Sequence, residues 1–204
     1  MNLLGIALAL AVALFPSLSI GAEVTAKASI KFSDPAGDVT AVEGDPNPID
    51  IVGIHLSSDG EFIVVGVTLA EAPRPASIFQ ALIAGVAFDV DNDRKSGGQA
   101  FGGMHGDVPG AEFESEIIGS VEDGGVSRSS SASVIGVEAN GNQSSVLTSS
   151  DAPATPAKGK LYTGKIAYSS LGVKTGQTIR VIARELSDRG EQEGLFPEAL
   201  MTLK

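Results

Sequence analysis

Cysteine is absent from these 204 residues, and histidine occurs only twice. No disulfide can form, so outside a reducing compartment the core alone has to carry stability. Two histidines without a thiolate also fall short of a structural zinc site, which takes several His or Cys ligands. Basic residues are scarce. There are 14 Lys and Arg against 25 Asp and Glu, for a net charge of −11. That balance disfavours nucleic acid and anionic membranes as partners. It suits divalent cations and neutral ligands such as sugars. Catalytic signatures are lacking too: no Gly-x-Ser-x-Gly elbow, no P-loop, and no Gly-x-Gly-x-x-Gly after a strand-like run. No segment sustains an apolar period of 3.6 residues, so long amphipathic helices are not expected.

The one long apolar run lies at the start. Residues 3–15 are continuously apolar, Pro16 interrupts them, and Ser17, Ser19, Gly21 and Ala22 follow. A spanning helix needs about 20 apolar residues, so this run is too short. It reads as a signal peptide over residues 1–22, with cleavage after Gly21 or Ala22. No cysteine follows it to accept a lipid. The expectation is a periplasmic or secreted protein whose mature chain has no membrane span and forms one domain, residues 23–204.

That mature chain reads as short strands and turns. Residues 49–56 and 61–69 are β-rich runs joined through Asp59-Gly60, a hairpin signal. A strand is expected at 83–89, with a short helical turn possible before it, and another at 112–118. Residues 134–138 and 144–148 would pair across Asn140-Gly141. Residues 160–168 alternate, and 178–186 place Ile179, Val181 and Ala183 on one face. Residues 200–203 would be a last edge strand. The stretches near 122–133 and 149–158 are rich in Gly, Ser, Ala and Pro and read as loops. Many short strands between turn signals predict an all-β fold, an antiparallel sandwich of immunoglobulin-like or jelly-roll-like type.

The most informative stretch is 88–116. An apolar run leads into Asp89, Asp91 and Asp93 on alternate residues. Glycines follow, and Glu112, Glu114 and Glu116 come after them. Carboxylates this close repel unless something positive lies among them. A hard cation such as calcium suits them, since it takes six to eight oxygens at about 2.3–2.6 Å. The pattern begins like an EF-hand loop and then departs from it. Arg94 stands where that loop needs glycine, and Ala100 where it needs a bidentate glutamate. The expected ligands are Asp89, Asp91 and Asp93, with Glu112 from the next strand. The alternative is a solvated turn neutralised by Arg94 and Lys95. A second oxygen-rich stretch is Asp34-Pro35-Ala36-Gly37-Asp38, with Asp45 and Asp50 nearby in sequence. Turn chemistry alone would account for it as the end of the first strand.

Three ordered stretches carry a resemblance. They are Asp34-Pro35-Ala36-Gly37-Asp38 with Ile49-Asp50-Ile51, then Phe88-Asp89-Val90-Asp91-Asn92-Asp93 with Gly110-Ala111-Glu112-Phe113, then Tyr162-Thr163-Gly164-Lys165-Ile166-Ala167-Tyr168. Together they resemble carbohydrate-binding-module family 9-like sandwiches, and more loosely the DOMON-type and glucodextranase C-terminal domains. The resemblance implies two packed antiparallel sheets, a secreted setting, bound calcium and often sugar binding. Sugar-binding members stack their ligand on tryptophan, which this chain lacks. Some DOMON-type members hold haem between Met and His. Here Met104 and His105 are adjacent and cannot flank one iron from opposite sides.

The expectation is therefore an exported, non-catalytic binding module, stabilised by structural calcium, with a polysaccharide or another envelope protein as partner. A structural or interaction domain with no small-molecule ligand is the second reading. A hydrolase using Glu112, Glu114 and Glu116 is the third.

Overall fold

The computed structural model describes residues 26–38, 50–71, 80–100, 109–122, 125–137, 143–149, 155–156, 160–187 and 194–204. The signal-peptide segment, the turn at Asn140-Gly141, and Met104 with His105 lie outside them. In chain order the strands are β1 (Ser29–Ser33), β2 (Ile51–Ser58), β3 (Phe62–Leu69), β4 (Gln80–Asp89), β5 (Gly98–Gln99), β6 (Pro109–Ala111) and β7 (Phe113–Glu122). They continue as β8 (Gly125–Val137), β9 (Gln143–Ser149), β10 (Thr155–Pro156), β11 (Leu161–Ala167), β12 (Thr178–Ser187) and β13 (Ala199–Thr202). One helical turn, α1 (Tyr168–Leu171), follows β11. Among the described residues no helix is long and apolar enough to cross a membrane.

The β2–β3 hairpin forms where Asp59-Gly60 predicts it. The Asp59 carboxylate accepts the amide N–H of Phe62 at 2.9 Å and of Glu61 at 3.2 Å. Gly60 sits at φ 102°, a conformation that glycine adopts without a Cβ clash. Around this hairpin the first sheet runs β1-β2-β3-β11. The second runs β10-β8-β7-β4-β12-β13, with β9 also on β8. Every pairing between these strands is antiparallel.

Period-two alternation builds the core between the sheets. Ile54 and Leu56 on β2 and Ile63, Val65 and Val67 on β3 face inward from the first sheet. Ala84, Val86 and Phe88 on β4 and Ile179, Val181 and Ala183 on β12 meet them from the second. Each is almost wholly buried. The fold is thus the all-β sandwich the pattern predicts. The segment before β1 ties the two layers at one edge: Lys27 donates its amide to Leu200 and accepts from Thr202 on β13.

One organisational expectation is corrected. The described residues of the Gly/Ser-rich stretch 122–133 are not a loop: Glu122 ends β7, and residues 125–133 form most of β8. Serine has little strand preference, so composition hides the strand. Its backbone pairs with β7 on one side and with β9 and β10 on the other, and that ladder decides its conformation. The other expected loop, 149–158, contains β10; its remaining residues after Ser149 lie outside the described ones.

A candidate metal centre

The inward positions of β4 are even-numbered, so Ala87 and Asp89 point to the outer face of the second sheet. Directly across on β12 stands Arg180, the cross-strand partner of Asp89. A two-stranded ribbon of β5 and β6 covers this outer face. Ala100 and Ala111 from the ribbon pack on Ala87 and Ile182 in a small second core. Under that cover Asp89 is 3% exposed and Arg180 is 4% exposed. The two are ion-paired through Asp89 Oδ2. The guanidinium also donates to the Pro109 carbonyl at 3.3 Å and lies 3.5 Å from Glu198.

Arg180 occupies only one oxygen of Asp89. The other, Oδ1, is buried and has no hydrogen-bond partner. It belongs to a cluster with Asp91 and Glu112, whose carboxylate oxygens all lie within 4.8 Å of one another. Oxygens that share one calcium at about 2.4 Å can be at most about 4.8 Å apart, so this spacing fits a single ion.

Each of the other two members is held by local structure. After β4 the chain turns through Asn92 at φ 57°, a left-handed conformation that asparagine tolerates. Asp91 Oδ1 then accepts the Asp93 amide at 2.9 Å, which fixes the turn. Glu112 lies between β6 and β7. Its amide donates to Phe88 at 3.0 Å and its carbonyl accepts from Val137 at 2.9 Å. Its carboxylate reaches back to accept the Val90 amide at 2.8 Å. Ser96 sits at the centre of the group. Its hydroxyl is 2.9 Å from Asp91 Oδ1, 2.9 Å from Glu112 Oε1 and 2.7 Å from the Asp93 carbonyl. A hydroxyl has one proton to donate, so at any moment two of those three acceptors go without it.

The electrostatics follow from this packing. Burial pushes the Asp89 carboxyl up, and Arg180 opposes that only in part. Burial also raises Glu112, against the hydrogen bonds from Val90 and Ser96, while Asp91 and Asp89 add to the rise. Asp91 is held below the usual carboxylate range by the Asp93 amide and the Ser96 hydroxyl. A buried carboxylate and a half-buried one, both resisting ionisation beside a third, are what a bound cation would relieve.

Of the four residues the sequence singles out, the structure brings Asp89, Asp91 and Glu112 together and leaves Asp93 outside. The Asp93 carboxylate accepts the Lys95 amide at 3.0 Å instead. Arg94 does not neutralise the cluster; it pairs with Glu198. Glu114 is buried on the outer face of β7 opposite Ala87. His55 is exposed on β2. Sequence reading missed Ser96 and Arg180. Arg180 did leave a signal: it is a charge at an outward position of a strand whose outward Ile182 is apolar.

Gly97 makes this packing possible. It sits at φ 60°, and a Cβ there would fall 2.4 Å from the Ala111 carbonyl oxygen and 2.7 Å from Glu112 Oε1. Gly97→Ala should cost roughly 2 kcal/mol, from the left-handed backbone and the displaced Ala111–Glu112 segment. Urea denaturation checks this; a cost below a few tenths would show that the ribbon shifts freely.

No family model matches this chain, and no curated protein or solved structure is significantly similar to it.

Proposed function

We propose that this chain is an exported, non-catalytic binding domain whose acidic loop is stabilised by calcium held by Asp89, Asp91 and Glu112. The buried, unpartnered Oδ1 of Asp89 within the cluster carries this reading. A carboxylate oxygen removed from water and left without a donor costs about 1–3 kcal/mol or more. A cation on that oxygen would remove the penalty and would pin 89–97 to the start of β7. The all-oxygen donor set favours calcium or magnesium over softer metals.

Among partners, another envelope protein is favoured over a sugar. Tyr162 and Tyr168 are buried, and Phe32 stacks on Phe196 with ring centroids 5.2 Å apart. Among the described residues the large exposed hydrophobic side chains are Leu161 and Leu195, neither of them aromatic. A flat ring is the usual platform for a sugar, so the sugar reading has less support. It remains the second reading, on the family 9-like resemblance.

The test is calorimetric titration of calcium into chelator-treated protein, with thermal unfolding alongside. Asp91→Asn combined with Glu112→Gln should remove one bound calcium. These two are chosen because Asp89 also neutralises Arg180. In the parent, calcium at a hundredfold excess over Kd should add about 2.7 kcal/mol from this site. Unchanged calcium stoichiometry in the double variant would overturn the assignment.

A further inference from the structure

Charge on the first sheet is of one sign. Its four strands, β1, β2, β3 and β11, contain no Asp or Glu, in a chain whose net charge is −11. Lys165 on β11 lies 3.9 Å from Asp59 in the hairpin turn. Lys31 on β1, and Lys27 just before it, have no ion-pair partner among the described residues. β1 is also an edge strand, bonded within its sheet to β2 alone. The pleat decides which of its main-chain groups that bonding uses. The Asp34 amide donates to the Val52 carbonyl, and the register continues from there as Ser33 against Gly53 and Phe32 against Ile54. Bonded and non-bonded pairs alternate in an antiparallel ladder. Ile30 and Phe32 therefore bond to β2, and the N–H and C=O groups of Ser29, Lys31 and Ser33 point away from it.

That free edge faces a cleft. Lys27 holds the chain to β13 through its bonds to Leu200 and Thr202, and from there β1 diverges to join β2. The edges of the two sheets part, leaving a cleft of about 650 Å³ between β1 and residues 196–200. Phe32 stacked on Phe196, followed by Pro197, gives it an apolar lining. Lys31 and its cross-strand partner His55 line it at the outer face of the sheet, with Lys27 at the end where β1 leaves β13. Glu198, which also lines it, is ion-paired with Arg94 and Arg180.

We propose that this cleft binds an extended segment of another protein, in which acidic and apolar residues alternate, and that the segment adds to β1 as a further strand of the first sheet. Strand addition draws affinity from main-chain hydrogen bonds and specificity from alternate side chains. The free N–H and C=O groups of Ser29, Lys31 and Ser33 supply the first. Period two then sends every second side chain of the segment to the outer face beside Lys31, and the others toward Phe32 and Phe196. Acids suit the former set and apolar residues the latter. A second copy of β1 suits neither, since pairing it with itself would bring two copies of Lys31 together. A lysine on an edge strand discourages indiscriminate pairing, and it does so least against a strand of opposite charge. The site shares no residue with Asp89, Asp91 and Glu112, so binding should persist in chelator.

The probe is a short capped peptide alternating Glu and Val, labelled with fluorescein and followed by anisotropy at low salt in chelator. It should bind, and a Lys-Val peptide of the same length should not. Affinity should fall with added salt. It should also fall by about tenfold or more in Lys27→Glu combined with Lys31→Glu, two exposed positions. N-methylation of the peptide separates strand addition from charge attraction without altering the protein. Methylating either the Glu amides or the Val amides should abolish binding, whichever set faces β1, and methylating the other set should leave it. Equal effects of the two patterns would overturn the proposal, as would failure of the Glu-Val peptide to bind at millimolar concentration. Binding of polygalacturonate in place of the peptide would make the ligand an anionic sugar, and self-association abolished by Lys31→Glu would make it a second copy; either would overturn it too.

Discussion

Arg180→Ala should destabilise the chelated protein by about 3–5 kcal/mol, the range for removing one partner of a buried ion pair. The reason is what remains behind. Asp89 would stay buried beneath the β5–β6 ribbon with neither oxygen neutralised, since Oδ1 has no donor even now. Arg180 also bonds Pro109 and approaches Glu198, so the ribbon would lose an anchor. Calcium should recover part of the loss, because an ion on Asp89, Asp91 and Glu112 supplies positive charge to the same carboxylate. The cost of Arg180→Ala should therefore be smaller in saturating calcium than in chelator. Arg180→Met with Asp89→Leu, which removes both charges, should be closer to the parent in chelator than Arg180→Ala is. Urea denaturation of the three proteins, with calcium and with chelator, checks all of this. A loss under about 1 kcal/mol in chelator would mean that the pair is effectively solvated.

The second large effect is a pH dependence of the calcium-free protein. Burial, with the negative charges of Asp34, Asp38 and Asp50, pushes the Glu185 carboxyl up to about 8 in the folded chain, from an ordinary value of 4.5. Between those values the native state holds a proton that the unfolded chain has lost. Stability contributed by this group is complete below about pH 4.5 and falls as pH rises toward 8. Each pKa unit is worth about 1.4 kcal/mol, so the decline should amount to a few kcal/mol. Glu185→Gln should remove the slope, leaving the variant more stable than the parent at pH 8 in chelator. Thermal unfolding across pH 5 to 8.5 measures this. A flat parent profile in chelator would show that Glu185 is already compensated.

The acidic centre was legible in the sequence only in part. It was announced by Asp89, Asp91 and Asp93 after an apolar strand. Which of them converge was not, because a turn through Asn92 sends Asp93 toward Lys95 and brings Glu112 in from across the loop. The buried Glu185 left no such trace: in the sequence it looks like an ordinary charge near the end of a strand.

Local rules, acting within a few residues, were enough to determine most of the longer strands, the hairpin at Asp59-Gly60 and the inward face of β12. The alternation of apolar residues and the turn chemistry of Asp and Gly operate at that range. They failed at β8, whose serines carry no pattern and whose conformation is imposed by neighbouring strands. They were also silent on partnership. Only the tertiary structure pairs Asp89 with Arg180, leaves Oδ1 of Asp89 without a hydrogen-bond partner, and buries Glu185 at an inward position of β12. A carboxylate's chemistry depends on its desolvation and on the charges that face it. In a sandwich both are set by contacts between strands far apart in the chain.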